Sequence, residues 1–184
     1  MNQFVSRGGI KLQTALDSFK VGVKGKTLLD VGSSTGGFVD CLLQNGAAKV
    51  YSVDTAYGEL AWTLRNDPRV VVMERTNALH LNQLPEKVDI ITIDAGWTKL
   101  TRVLPVVRDL LKSDGKIIAL IKPHYEAEKK LLVKGVLPIE VAEQVKTRVI
   151  HDLQELQFKI QGVIDSPILG GAGNKEYLLF LTVK

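Results

Sequence analysis

The stretch Thr27-Leu28-Leu29-Asp30-Val31-Gly32-Ser33-Ser34-Thr35-Gly36-Gly37-Phe38 decides how this chain is read. A short apolar run ends in an acid, a turn of small residues follows, and an amphipathic segment begins at Phe38, Val39, Leu42 and Leu43. That order predicts a buried strand, a tight turn and the start of a helix. Glycine at 32, 36 and 37 lets the backbone approach a bulky ligand where a Cβ would collide, and the amides of the helix N-terminus face that ligand. A dinucleotide site uses G-x-G-x-x-G and aims its helix at a pyrophosphate. Here Ser34 stands in the place of the second glycine, and Asp30 precedes the first. An acid beside the turn repels a phosphate dianion and attracts a cation. S-adenosylmethionine carries an ammonium and a sulfonium and no phosphate, so the turn favours that cofactor over a nicotinamide dinucleotide.

A second acid strengthens this reading. Lys49-Val50-Tyr51-Ser52-Val53-Asp54 reads as another strand ending in a carboxylate. An acid roughly 20 residues past a glycine turn can bond the hydroxyls of a ribose, at the strand ends where open α/β sheets bind their ligands. Asp30 and Asp54 together predict half of a nucleoside site.

Working outward, alternating β-rich runs and helical patterns organise the rest. Leu12, Ala15, Leu16 and Phe19 give a first helix, introduced by Ser6-Arg7-Gly8-Gly9-Ile10-Lys11, where the glycines make a flexible entry that lets Arg7 and Lys11 be aimed. After the glycine turn one helix runs to Asn45-Gly46. Tyr57 to Leu64 predicts a helix closed by Asn66-Asp67-Pro68, Val70 to Met73 a third strand, and Lys87 to Asp94 a fourth. A helix carrying Leu100, Val103, Leu104, Val107 and Leu111, stopped near Ser113-Asp114-Gly115, leads to a fifth strand, Gly115 to Ile121, which ends at Lys122-Pro123. A polar connection from Lys122 to Leu137 precedes a long helix with Pro138 near its first turn. Phe158 to Ile164 and Tyr177 to Val183 are the last strands. The Gly-rich loop between them is too short for a crossover helix, so they form an antiparallel hairpin at one sheet edge. The expectation is an α/β fold, with a seven-stranded, mostly parallel sheet between helices, in one domain over residues 1–184.

Composition narrows the class. The chain has 184 residues, 45% of them hydrophobic, with a formal net charge of +4. That describes a globular domain with a substantial core. A pI near 9.1 suits a polyanionic partner such as RNA. No apolar run approaches the ~20 residues that span a membrane, and the amino end lacks the hydrophobic core of a signal peptide. These features and the lone Cys41, which cannot form an internal disulfide, predict a cytoplasmic protein without a membrane partner. Cys41 falls on the helix after the glycine turn and reads as core. No His, Cys and Asp spacing reads as a metal site.

Several ordered segments carry a closer likeness. Ser6-Arg7-Gly8-Gly9-Ile10-Lys11, Leu29 to Phe38, Tyr57 to Trp62, Asp67 to Val70, Glu74-Arg75-Thr76-Asn77, Lys122-Pro123-His124-Tyr125-Glu126 and Gly173 to Tyr177 resemble the TlyA (hemolysin A) family of FtsJ-like ribose 2′-O-methyltransferases acting on ribosomal RNA. The resemblance covers nearly the whole chain. It implies a class I S-adenosylmethionine-dependent (Rossmann-like) fold, and methylation of a ribose 2′-hydroxyl of ribosomal RNA, cytidine by family likeness. By position, the family's Lys-Asp-Lys-Glu catalytic group falls on Lys11, Asp94, Lys122 and Glu176. The resemblance further implies Asp30, Gly32, Ser33, Gly36, Gly37 and Phe38 around the methionine half of the cofactor, Asp54 on its ribose and Asn77 at the adenine edge. A hydroxyl is a poor nucleophile, so a group must take or orient its proton. Lys122 is assigned that role, positioned by Asp94 and Glu176 and with Lys11 as a neighbouring cation. Trp97 is a candidate for the target-base pocket.

The chain also departs from its family. Members usually carry an additional RNA-binding domain ahead of the catalytic one, and this chain begins almost at the catalytic domain, which predicts a change in RNA affinity or target choice. Ala95-Gly96-Trp97 replaces a Leu-Ser-Phe type segment, and Lys129-Lys130 lies where the family has a glycine-bearing loop. Three readings compete: a non-catalytic module that kept the fold, a small-molecule methyltransferase that binds the same cofactor, and a membrane-active hemolysin. The last is disfavoured because no segment reads as a membrane-active amphipathic helix. The sequence leaves the ribosomal assembly state of the substrate and the oligomeric state of the protein undefined.

Overall fold

The computed structural model describes residues 3–96 and 98–183. Seven strands make one sheet: β1 (Thr27–Val31), β2 (Lys49–Val53), β3 (Val70–Met73), β4 (Val88–Ile93), β5 (Leu111–Ile121), β6 (Phe158–Asp165) and β7 (Tyr177–Val183). Their spatial order is β3-β2-β1-β4-β5-β7-β6. The first five are parallel, and β7 is antiparallel to both β5 and β6. The expected hairpin is present, with β7 on the inside. Composition explains the choice, because Tyr177-Leu178-Leu179-Phe180-Leu181 is apolar on both faces, whereas β6 alternates with Lys159 and Gln161 and suits an edge.

The helices cover both faces. α1 (Gly8–Phe19), α2 (Gly37–Gln44) and the short α3 (Trp62–Arg65) pack over Leu28, Val50, Ile90, Ile118 and Leu178. On the other face α4 (Leu100–Val107) and α6 (Ile139–Glu155) pack over Leu29, Val31, Ile91, Ile93, Ile117 and Leu179. Successive strand residues point to opposite faces, so each strand feeds both layers. α5 (Pro123–Glu126) follows β5 directly.

Four details differ from the sequence expectation. Gly8 and Gly9 are not a flexible entry but the first turn of α1, where a Cβ on Gly9 would overlap the Phe4 ring. Tyr57 to Ala61 is not helical. Its backbone bonds outward instead, Ala61 N–H to Thr35 O at 3.1 Å and Gly58 N–H to Glu74 Oε1 at 2.9 Å, so only Trp62–Arg65 coils. β5 begins at Leu111, inside the stretch expected to be helical up to Ser113-Asp114-Gly115. The polar connection after β5 holds α5 and a 3-10 turn over Lys129–Leu131.

The glycines of the β1 turn make room for protein. Gly32 has φ +83°, and a Cβ there would lie 2.8 Å from Asp94 O. Gly36, at φ +98°, gives way to Leu60 and Leu64, and Gly37 faces Ser6 and the Gly9 amide. A left-handed backbone costs an L-residue roughly 1–2 kcal/mol, and a forced contact in a packed region adds about 1–3 kcal/mol. Gly32→Ala is therefore expected to destabilise the chain by about 2–5 kcal/mol, read as a lower urea midpoint at unchanged m-value.

Candidate active site

Four loops meet at the carboxyl ends of β1, β4 and β5. The β1 turn bends through Gly32, Ser34 (φ +46°) and Gly36 before α2. It is pinned by Gly32 N–H and Ser33 N–H to Val53 O (2.9 and 3.2 Å) and by Gly36 N–H to Ser33 O (2.7 Å). A cleft of about 320 Å³ opens above it. Its wall includes Gly32, Ser33, Gly37 and Phe38 from the turn, Lys11 from α1, Asp94 after β4 and Lys122 after β5.

Two ion pairs cross this cleft. Lys11 and Glu176 are bonded at a buried contact although 165 residues apart in sequence. Lys122 Nζ lies 2.5 Å from Asp94 Oδ1, off the axis a hydrogen bond needs, and donates to Asp94 O at 3.4 Å. The structure therefore brings together the four residues assigned from the family pattern. Beyond Lys122 lies a second cleft, lined by Lys122, His124, Tyr125, Leu132, Asn174 and Glu176. The two clefts have Lys122 and Gly171 in common.

Asp30 sits beneath the turn. It is fully buried, Oδ1 accepts from Thr92 Oγ1 at 2.6 Å, and Oδ2 has no partner among the described residues. Burial pushes its carboxyl up to about 7, opposed by the Thr92 and Ser33 hydrogen bonds. Burial, with Lys122 and Lys11 nearby, pushes the His124 imidazole down and so favours its neutral form. The Cys41 thiol is buried and pushed up to about 12, mainly by desolvation, so it is core and no nucleophile.

Four expected cofactor residues lie outside the cleft wall: Asp30 and Gly36 are behind the turn, and Asp54 and Asn77 are engaged elsewhere. Asp54 accepts from Ser34 N–H (2.7 Å) and Ala56 N–H (2.8 Å), which makes it a brace of the glycine turn. Asn77 caps a 3-10 turn by accepting from Leu79 N–H at 3.0 Å. Trp97 lies outside the described residues. Sequence reasoning missed Ser6, Ser34, Thr35 and Gly170 as lining residues, and Tyr125 in the second cleft. Arg7, noted only as a cation that could be aimed, also lines the first cleft. Ser6 and Arg7 were within reach, since they stand beside Lys11 in one motif. Gly170 was not, because only the fold shows that a Cβ there would overlap the Glu176 carboxylate. Among the described residues no His, Cys, Asp and Glu group could hold a metal ion.

The sheet order, with β7 reversed between β5 and β6 and a glycine turn after β1, defines the class I methyltransferase fold. The FtsJ-like methyltransferase family matches residues 4–183, and the chain belongs to it. YqxC of Bacillus subtilis is 45% identical over 97% of this chain and 66% of its own length. The Mycobacterium tuberculosis 16S/23S rRNA (cytidine-2′-O)-methyltransferase TlyA is 43% identical over 97% of this chain and 68% of its own. A crystal structure of a hemolysin-named protein from Lactococcus lactis superposes with a TM-score of 0.94 at 40% identity, covering 98% of this chain and 89% of that one. The chain thus spans about two thirds of the length of the curated relatives it matches.

Asp30 gives the site a measurable pH signature. In the unfolded chain its carboxyl ionises near 3.8, and in the folded chain near 7. Between those values the folded state holds a proton that the unfolded state has released. Its contribution to stability is thus full below the lower value and falls as pH rises towards the upper one, by at most about 1.4 kcal/mol per pH unit. Asp30→Asn is expected to be more stable than the parent at pH 8 and comparable at pH 4, measured as the difference between the two urea-unfolding curves at each pH.

Proposed function

We propose that the chain transfers a methyl group from S-adenosylmethionine to a ribose 2′-hydroxyl of ribosomal RNA. It works as one FtsJ-like domain over residues 1–184, in the cytoplasm. The observation that carries this reading is the place of Lys122 in the wall common to two clefts. A group transfer needs donor and acceptor to meet at one atom, and positioning alone supplies ~7–11 kcal/mol of such a barrier.

The cofactor fits the first cleft by its donor set. Asp30 Oδ2 is a buried acceptor without a partner, and Asp94 stands in the cleft wall. These acids suit an ammonium and a sulfonium, while the Arg7 cation in the same wall suits the carboxylate of the methionine half. Asp30, Gly32, Ser33, Gly36, Gly37 and Phe38 hold that half, Asp54 the ribose and Asn77 the adenine edge. Bound S-adenosylmethionine supplies an electrophilic methyl on sulfur.

The second cleft takes the nucleotide. There Lys122 takes or orients the proton of the 2′-hydroxyl, and Asp94 fixes the amine by its ion pair. Lys11 and Glu176 brace the opposite side through their own pair, joining α1 to the start of β7. Ribosomal RNA, and cytidine within it, is extended to this chain from the name of the M. tuberculosis relative. Association with an assembled ribosomal subunit is part of the same proposal.

Lys122→Ala is expected to lower radiolabelled methyl transfer to ribosomal subunits by about 10²–10⁴-fold. Calorimetric affinity for S-adenosylmethionine should stay within about threefold of the parent. Near-normal turnover removes the assignment of Lys122. Label appearing only in small metabolites replaces RNA as the substrate, and cofactor binding without any transfer makes the chain a binding module.

A further inference from the structure

A third cleft adjoins the nucleotide side, and the reaction described above leaves its charges unused. It is lined by Gly96, Thr98, Lys99, Arg102, Tyr125 and Lys129. Lys99, Arg102 and Lys129 are exposed, and none of them is in an ion pair among the described residues. Lys20, Lys24, Lys26, Lys116, Lys134 and Lys159 also lack an ion pair among the described residues, so it is the convergence of three such cations on one cleft that matters. No carboxylate lines this cleft among the described residues. Glu126 is turned inward at 4% exposure, where Oε1 accepts from the Leu100 amide at 2.9 Å. Thr98 Oγ1 is buried and has no hydrogen-bond partner among the described residues.

An aromatic ring forms the border. Tyr125 lines both this cleft and the nucleotide cleft and is 51% exposed. Its ring is held from two sides: His124 packs on it at 4.3 Å with a 42° tilt, and a Cβ on Gly96 would lie 3.1 Å from it. A side chain at Gly96 would need the ring to shift by a few tenths of an ångström. A fixed, half-exposed ring beside unpaired cations matches the elements of single-strand recognition, a stacking surface with backbone neutralisation next to it.

We propose that this third cleft is a second nucleotide subsite for single-stranded RNA. Lys99, Arg102 and Lys129 hold the phosphodiester next to the target nucleotide, the Thr98 hydroxyl donates to a phosphate oxygen, and the neighbouring base stacks on Tyr125. The proposal rests on the reading of the substrate as RNA and deepens it by naming where the flanking strand lies.

The test is fluorescence anisotropy of a labelled single-stranded RNA oligonucleotide on the full chain, without cofactor, over a range of salt. Each lost phosphate contact on a single strand removes about 0.7 from the slope of log affinity against log salt. The Lys99→Gln/Arg102→Gln double variant is therefore expected to bind more weakly with a slope shallower by about 1.4, at unchanged thermal midpoint and S-adenosylmethionine affinity. Tyr125→Leu should lose on the order of tenfold in affinity at an unchanged slope, and Tyr125→Phe should retain it. An unaltered slope in the double variant overturns the proposal. So does an abasic oligonucleotide that binds the parent as tightly as the intact one, which would leave an anion site alone. If the slope changes as expected but the parent methylates no ribosomal RNA, the subsite stands and the methyl-transfer reading falls.

Discussion

The site depends on how closely the tips of β1 and β4 approach one another. Asp94 N–H donates to Val31 O at 2.9 Å, and Gly32 leaves room for the Asp94 carbonyl where a Cβ would stand 2.8 Å away. Because the chain bends through a left-handed glycine at that point, Asp94 is held directly over the turn. β5 pairs with β4 in register, Ile93 opposite Ala119, so Lys122 emerges beside Asp94 and their ion pair closes. One missing side chain thus sets the distance between a carboxylate and an amine from different strands.

The same economy of side chains brings α1 over the cleft. Ser6 and the Gly9 amide occupy the space beside Gly37, and Phe4 packs against Gly9, so α1 and α2 cross at short range. At the other end Phe19 stacks on Phe180 at 5.4 Å and lies over Gly162, next to the register shift of β6 at Gln161. Clamped at both ends, α1 presents Lys11 to Glu176. Burying two charges costs more than their attraction returns unless the geometry is good. A buried pair of this kind is therefore weak evidence of stabilisation.

How much of this could be read in advance follows from which signals are local. The strand-turn-helix around Asp30, and the strand ends at Asp94 and Lys122, were legible because apolar runs mark where parallel strands stop. Glu176 and Lys11 needed the family likeness, since no periodicity relates positions at opposite ends of the chain. The helix expected over Tyr57 to Leu64 failed because its backbone groups bond to Thr35 and Glu74, partners distant in sequence. Gly8, Gly9 and Gly32 look alike in sequence as permissive residues, and only the packing shows that Gly9 and Gly32 mark close approaches while Gly8 does not. The nucleotide side was least legible. Tyr125, Leu132 and Asn174 lie in segments without a repeating pattern, and their meeting depends on the Asn174 side chain accepting from Leu137 N–H at 2.9 Å and donating to Gly135 O at 3.0 Å.

Across the mouth of the sheet the character of the unpartnered groups changes, from a buried carboxyl to exposed cations. Beneath the first cleft lies Asp30 with an unpartnered oxygen. In the middle, Lys11 with Glu176 and Lys122 with Asp94 are each compensated. Past Tyr125 come Lys99, Arg102 and Lys129 without carboxylate partners among the described residues. A net charge of +4 does not convey this order, because it averages over the whole surface. The gradient matches a reaction whose donor is cationic at its reacting centre and whose acceptor is a polyanion. Between them the central lysine is held by its ion pair with Asp94 and lies 5.9 Å from the Tyr125 ring centroid. Fields of this kind act at a range of about 10 Å at moderate salt, the scale over which neighbouring clefts can order two unlike ligands before any atoms touch.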